Sequence, residues 1–351
     1  MYGSDRAVWS YAKLLPLFIA IPLMFALAAC NGDDGGEPGA SPTEADASPT
    51  VPTAGSPMPT EPAQETEPPE DLPDGKIVFA RRLDANDEIF VMDTDGSNEV
   101  RLTDNDARDI EPDWSPDGTK IAFASNRDGN FEIYIMDADG ENLERIINNP
   151  AQDSVPKWSP DGEQILFFST RPPNFLWVMD ADGGNQRPVI EDPSEEPLCG
   201  DGGFSGGWSP DGDRVTFFAA KPGEEGEALG QVCSIGLDGS DLKILATDPP
   251  GFDVESTWSR DGKKIAFRSA RDDGNSDIYI MDADGANQMR LTSHQTTDAE
   301  PSFSPDGDWL VFHSARDGTN FEIYVFRVDG SGIFRLTNDP ANDGTPAWSP
   351  R

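Results

Sequence analysis

Charged residues of opposite sign recur along this sequence at fixed offsets. Five residues before an aromatic stands an aspartate: Asp109, Asp153, Asp253, Asp298 and Asp343. Thirteen residues after the aromatic stands a base: Arg127, Arg171, Lys221, Arg271 and Arg316. Brought to one face, such rings form a polar funnel for a ligand, or a divalent-cation site such as calcium if the aspartates stand free. Facing each other across hairpins, they form one structural ion pair per repeat, worth about 0.2–1 kcal/mol each. Both readings stand at this point. Other chemistry is thin. Gly203-Phe204-Ser205-Gly206-Gly207 fits G-x-S-x-G, but it precedes a strand and does not join a strand to a helix. His294 and His313 are the two histidines, too few for a His-rich metal cage. No spacing singles out a carboxylate pair for glycoside chemistry. The Asp-x-Asp-Gly runs at 93–96, 137–140, 180–183 and 282–285 lack the spacing and distal Glu of an EF-hand loop and read as hairpin turns.

What positions these residues is a repeat. Trp114-Ser115-Pro116-Asp117-Gly118 recurs from Trp158, from Trp208, from Trp258 (with Arg260 for proline) and from Phe303. A further copy is split: the chain ends Trp348-Ser349-Pro350-Arg351, and the first repeat opens Asp74-Gly75-Lys76-Ile77-Val78-Phe79. The aromatics are 44, 50, 50, 45 and 45 residues apart, the length of a four-stranded blade. Pro-Asp-Gly makes the turn, Lys120–Ser125 alternates as a strand, Glu132–Met136 follows, and no sustained 3.6-residue apolar period occurs after residue 30. The expected fold is all-β: a six-bladed propeller of four-stranded antiparallel blades over residues 74–351, closed by a C-terminal strand that completes the N-terminal blade. Met92, Met136, Met179 and Met281 share one repeat position and read as packing between blades.

The repeat resembles the WD-like repeat of the TolB family of β-propellers, which reads roughly P-x-W-S-P-D-G, I-A-F, I-Y-x-M-D, D-G, L-T. The resemblance covers residues 74–351. It implies the propeller fold. Function it implies only loosely, since such repeats serve scaffolds, peptidase gates and some lyases. TolB itself carries an α/β domain before its propeller, which this sequence does not show, so the resemblance is to the family rather than to TolB.

Residues 1–30 read as an address. Arg6 and Lys13 precede a 16-residue apolar run, Leu14–Ala29, broken by Pro16 and Pro22 and short for a bilayer span. It ends Leu27-Ala28-Ala29-Cys30, which resembles the bacterial lipobox and implies lipidation of Cys30. An ordinary signal peptide or an uncleaved anchor is the alternative. Residues 31–73 carry Pro, Thr, Ser, Gly and acids, with no Lys or Arg. They read as a disordered tether that spans roughly 35 Å as a coil.

Blade 4 departs from the pattern. Its Asp position is Gly203, which deprives Lys221 of its expected partner. Extra residues fall at 193–205, 222–230 and 247–255, and alternation of connections puts all three on the face of the Asp and Arg rings. The expected binding rim is Phe204, Lys221, Glu224, Glu225, Phe252 and Asp253. Cys199 and Cys233 fall in or beside these insertions, and a disulfide between them would close about 35 residues, worth roughly 3–4 kcal/mol outside the cytoplasm. Two unpaired thiols are the alternative.

The net charge is −39, with 65 acids against 26 bases. Nucleic-acid phosphates would be repelled. The expectation is an extracytoplasmic, membrane-anchored, monomeric lipoprotein that binds an envelope protein or glycan, without cofactor and without catalysis. A carbohydrate- or peptide-acting enzyme at the channel mouth and a cation-dependent binder using the Asp ring are the alternatives.

Overall fold

Short alternating strands, each launched by a turn of fixed chemistry, build this molecule. The computed structural model describes residues 64–65 and 68–350, apart from 85, 173–174, 191–203, 223–227, 247–252, 273 and 319. It also leaves undescribed the side chains of 64–65, 204–205, 220–222 and 228–229. Among the described residues there is no helix. A two-residue strand, β1 (Gln64–Glu65), comes first. Blade 1 follows with β2 (Lys76–Leu83), β3 (Asn86–Asp93) and β4 (Val100–Arg101). Blade 2 is β5 (Asp109–Trp114), β6 (Lys120–Ser125), β7 (Glu132–Asp137) and β8 (Glu144–Arg145). Blade 3 is β9 (Asp153–Trp158), β10 (Gln164–Ser169), β11 (Leu176–Asp180) and β12 (Arg187–Pro188). Blade 4 is β13 (Phe204–Trp208), β14 (Arg214–Pro222), β15 (Ala228–Gly236) and β16 (Lys243–Ala246). Blade 5 is β17 (Val254–Trp258), β18 (Lys264–Ser269), β19 (Asp277–Asp282) and β20 (Met289–Arg290). Blade 6 is β21 (Asp298–Phe303), β22 (Trp309–Ser314), β23 (Glu322–Arg327) and β24 (Ile333–Arg335). The last strand, β25 (Asn342–Trp348), returns to blade 1, so six four-stranded antiparallel blades form a closed ring, with β1 added in parallel at the edge of blade 6.

The turn explains why the phrase repeats. In blade 2, Ser115 Oγ donates to Asp117 Oδ1 at 2.7 Å and accepts from Lys120 N at 2.9 Å, which starts β6 in register. Gly118 at φ 70° takes the conformation a side chain disfavours. The Asp-x-Asp-Gly turns are hairpins, with their carboxylates already engaged: Asp137 takes Lys120 Nζ at 3.0 Å and Asn142 Nδ2 at 2.6 Å. Gly183 shows why glycine closes such a turn. Its φ is 84°, and a Cβ there would lie 2.1 Å from the Ile146 carbonyl of the preceding blade.

The core lies between blades. Ile77, Phe79 and Met92 of blade 1 pack with Trp309, Val311 and Val325 of blade 6, and the same interleaving recurs round the ring. Met92, Met136, Met179 and Met281 are all buried, each in a cluster shared with the preceding blade. Blade 4 differs from expectation in its second hairpin. The ladder runs on through Lys221↔Leu229 to Pro222↔Ala228, so Pro222 and Ala228–Gly230 at the two ends of the insertion are strand.

Closure is the seam that all else presupposes. Trp348 pairs with Ile77 and Ala347 with Val78, while Ser349 Oγ accepts from Lys76 N at 2.8 Å. The blades are also reached earlier in the chain than residue 74. Leu72 packs against the blade 1–blade 6 cluster, and Thr94 Oγ1 donates to the Pro73 carbonyl at 2.9 Å. A lone leucine in a polar run gave no sign of this. Trp348 is 6% exposed, so Trp348→Ala should cost about 3–5 kcal/mol in denaturant melts. Deleting residues 342–351 should abolish the cooperative transition, a far larger loss than trimming an uninvolved terminus.

Candidate functional site

Strand alternation breaks once in every innermost strand. In blade 2, Ile110 faces Ala124 and Asp113 faces Ala122, so Glu111 and Pro112 together oppose one residue of β6. This is a β-bulge, and it re-aims one side chain. The bulged residues Glu111, Val155, Glu255, Glu300 and Thr345 all have positive φ, between 50° and 57°. Each stands three residues before its aromatic. With Asp113, Lys157 and the tryptophans they line a central cavity of about 260 Å³ that draws on every blade.

The bulge carboxylates fasten blade to blade. Glu111 Oε2 accepts Val155 N at 2.8 Å, Glu255 Oε2 accepts Glu300 N at 3.0 Å, and Glu300 Oε2 accepts Thr345 N at 2.7 Å. Two positions on, Asp113 accepts Trp158 N at 2.8 Å and meets Lys157 Nζ at 3.2 Å. Glu255 is also held by Arg268 at 2.9 Å, and Glu300 lies 3.0 Å from His313 Nδ1. Burial pushes Glu111 up to about 7, against the Val155 N–H and with help from the Glu300 charge. Burial likewise raises Asp113 and Glu255. Burial would raise Glu300 too, but the charge and hydrogen bond of His313 bring it below its ordinary value. Protein packs densely round these groups, yet 31% of the Glu300 side chain and 17% of Glu255 still meet solvent through the cavity. Charges exposed to that extent are screened by solvent.

The Asp and Arg rings lie elsewhere. Asp109, Asp153, Asp253, Asp298 and Asp343 are fully buried at the starts of their strands. Arg127, Arg171, Arg271 and Arg316 reach Asp109, Asp153, Asp253 and Asp298 at 2.9, 3.4, 2.7 and 2.8 Å. Each guanidinium also lies over an aromatic pair: Arg127 is 4.7 Å from the Tyr134 ring and 5.6 Å from Phe123. In blade 1 the base is Arg81, which sits two residues early, inside β2, and holds Asp343 of β25 at 2.6 Å and Glu99 at 2.5 Å. The ring geometry is therefore one ion pair in each of blades 1, 2, 3, 5 and 6. Among the described residues no group of three or more His, Cys, Asp or Glu is arranged to hold a metal ion.

The expected rim is only partly described. Asp253 is buried against Arg271 and offers no surface. Phe204 begins β13 opposite Phe218, and Lys221 lies in the β14–β15 ladder. Glu224, Glu225, Phe252, Cys199 and Cys30 lie outside the described residues. Cys233 is buried in β15 between Phe217 and Ile244. Ser205 of the G-x-S-x-G run falls inside β13, not on a strand–helix elbow.

A ring of six such sheets defines the class as a β-propeller. The chain belongs to the TolB beta propeller domain family, whose model matches residues 63–170, 122–197 and 174–351. The crystal structure of TolB from Acinetobacter baumannii superposes with a TM-score of 0.67 at 25% identity, covering 79% of this chain and 67% of that one. A putative TolB from Agrobacterium tumefaciens gives 0.62 at 20% identity, covering 78% and 92%, a likeness of fold alone. In sequence, the Tol-Pal system protein TolB of Geobacter sulfurreducens is 48% identical over 44 residues, 12% of this chain and 10% of that protein's length.

Two outcomes follow. Arg316→Met strands the fully buried Asp298 and should cost about 3–5 kcal/mol, with part restored by adding Asp298→Asn, as a double-mutant melt would show. Glu111 has a folded pKa above its unfolded one, so its stabilising contribution is complete below the unfolded value and lost as pH rises through about 7. The melting advantage of Glu111→Gln should thus be small at pH 5 and grow towards pH 8, to at most about 3 kcal/mol before screening. A difference flat with pH would sink this account of the channel.

Proposed function

We propose that the protein is a binding and scaffolding module of the cell envelope that works outside the cytoplasm as an anchored monomer. Family membership carries this reading: the propeller is of the TolB type, and one stretch is close to a Tol-Pal system protein. The channel supports it, because Glu111, Glu255 and Glu300 each spend an oxygen on the next blade's backbone. The acidic surface favours envelope protein or glycan partners that carry positive charge or bridge through cations. Cys30 would supply the lipid, and a Cys199–Cys233 disulfide would staple the blade 4 insertions. Intact mass of the native chain from membranes, before and after reduction and alkylation, tests both. An unacylated Cys30 or two alkylatable thiols without reduction would remove the respective part.

The binding reading is tested by cross-linking and capture from native envelope with the full-length chain, beside a Lys221→Glu variant. A specific envelope partner is expected. Its loss in the variant assigns the blade 4 rim, and its retention discards that rim. A chain that captures nothing at any salt concentration would overturn the scaffold reading.

One observation favours a second reading. Glu111 keeps its proton to near-neutral pH beside other carboxylates in an open cavity, a condition suited to general-acid catalysis. Turnover in a glycoside and peptide screen that Glu111→Gln abolishes would establish an enzyme. Inactivity across the screen leaves the carboxylates as blade fasteners.

A further inference from the structure

Blade 6 is built unlike its neighbours on its outer side. At the start of the second strand, the other blades place Lys76, Lys120, Gln164, Arg214 and Lys264; blade 6 places Trp309. Opposite it, at the end of the third strand, most blades place an aspartate, Asp93, Asp137, Asp180 or Asp282, and blade 6 places Arg327. Lys76, Lys120 and Lys264 satisfy their aspartates within the blade, at 2.7, 3.0 and 2.6 Å. Arg327 has no such aspartate across from it; its guanidinium lies 4.4 Å from the Trp309 ring.

The outermost strand changes in the same way. At one position the other blades carry Val100, Glu144, Arg187, Lys243 and Met289, all exposed, with Val100 52% and Met289 46% accessible. Blade 6 carries Phe334 there, 5% accessible and packed at 5.9 Å on Trp309. What covers it is the segment before the propeller. β1 adds to the edge in parallel, Gln64 opposite Ile333 and Glu65 opposite Phe334. Leu72 joins the cluster that contains Phe334 and Trp309, and Asp71 forms the ion pair with Arg327.

We propose that the outer edge of blade 6 is a strand-docking seat for an extended acidic peptide bearing Asp-Leu, and that the chain's own residues 64–65 and 68–73 occupy it in cis. Three independent exchanges make the seat: a basic or polar residue to tryptophan, the usual aspartate to arginine, and a polar or exposed residue to phenylalanine. Each suits the strap and none is needed by the blade's own hydrogen bonds. Among the described residues, two β-bridges, one ion pair, one leucine and the Thr94–Pro73 hydrogen bond hold the strap, few enough contacts to be exchanged. Such edge addition draws affinity from backbone bonds and specificity from alternate side chains.

The test uses the full-length chain and a fluorescent peptide with the sequence of residues 62–73. A strap tethered in cis competes at an effective concentration on the millimolar scale, so wild type should bind the peptide weakly. Asp71→Asn with Leu72→Ser in the chain should tighten peptide binding by about tenfold or more. A peptide carrying Leu72→Ser should fail to compete. Equal peptide binding by wild type and variant, or no binding by a variant that still melts cooperatively, would overturn the proposal. Hydrogen exchange guards against a variant that is merely unfolded. Amides 333–335 should lose protection while 342–348 keep theirs, and loss at both would show a purely structural strap and overturn the seat.

Discussion

A four-stranded sheet with two apolar faces cannot stand in water by itself. Every blade here depends on a neighbour for each face, and the dependence is satisfied only because the sixth sheet meets the first. The seam at Trp348, Ala347 and Asp343 is thus the constraint under which the rest is built. Arg81 shows how closely it is managed. Elsewhere the base comes from the turn after the second strand and stays within sequence-local reach of its aspartate. At the seam it moves into β2 and clamps a carboxylate 262 residues away.

Inside the ring the same problem is solved by carboxylates. Packing holds the blades' broad faces together, but the innermost strands carry backbone N–H groups that a bulge has freed from the ladder. A buried N–H without an acceptor is expensive. Glu111, Glu255 and Glu300 supply acceptors from one blade to the next. The charged channel is in this sense a by-product of fastening. It also leaves groups with displaced acidity beside open volume, and so the structure supports a binding reading while retaining one feature suited to chemistry.

Much of the fold can be read from residues because its turns are local. Ser115, Pro116, Asp117 and Gly118 specify their own conformation, and spacing does the rest. The match of Trp-Ser-Pro at one end with Asp-Gly-Lys at the other disclosed closure without any long-range information. The Asp–Arg pairs were visible as partners because hairpin register is a local count. Arg81 was not, since it is displaced by two positions. Nor were Glu111, Glu255 and Glu300 singled out, for strict alternation cannot foresee a bulge that turns one residue in six into the channel. An acid three residues before the aromatic in three repeats was the signal available. The covered edge of blade 6 was hidden differently: Trp309 and Arg327 are visible breaks in the repeat, but only β1 shows what they receive.

The hydrogen bond from Lys76 N to Ser349 Oγ joins residues 273 positions apart. Synthesis proceeds from the N-terminus, so blade 1 exists for nearly the whole of that process as three strands with an open edge. Blades 2 to 5 can condense on one another as they emerge, since their strands are consecutive. The ring itself can only snap shut after residue 348 has been made. The interval between the first strand and the last is therefore when this chain is most open to mispairing or capture by another edge, and a chaperone acting on it would have to act then.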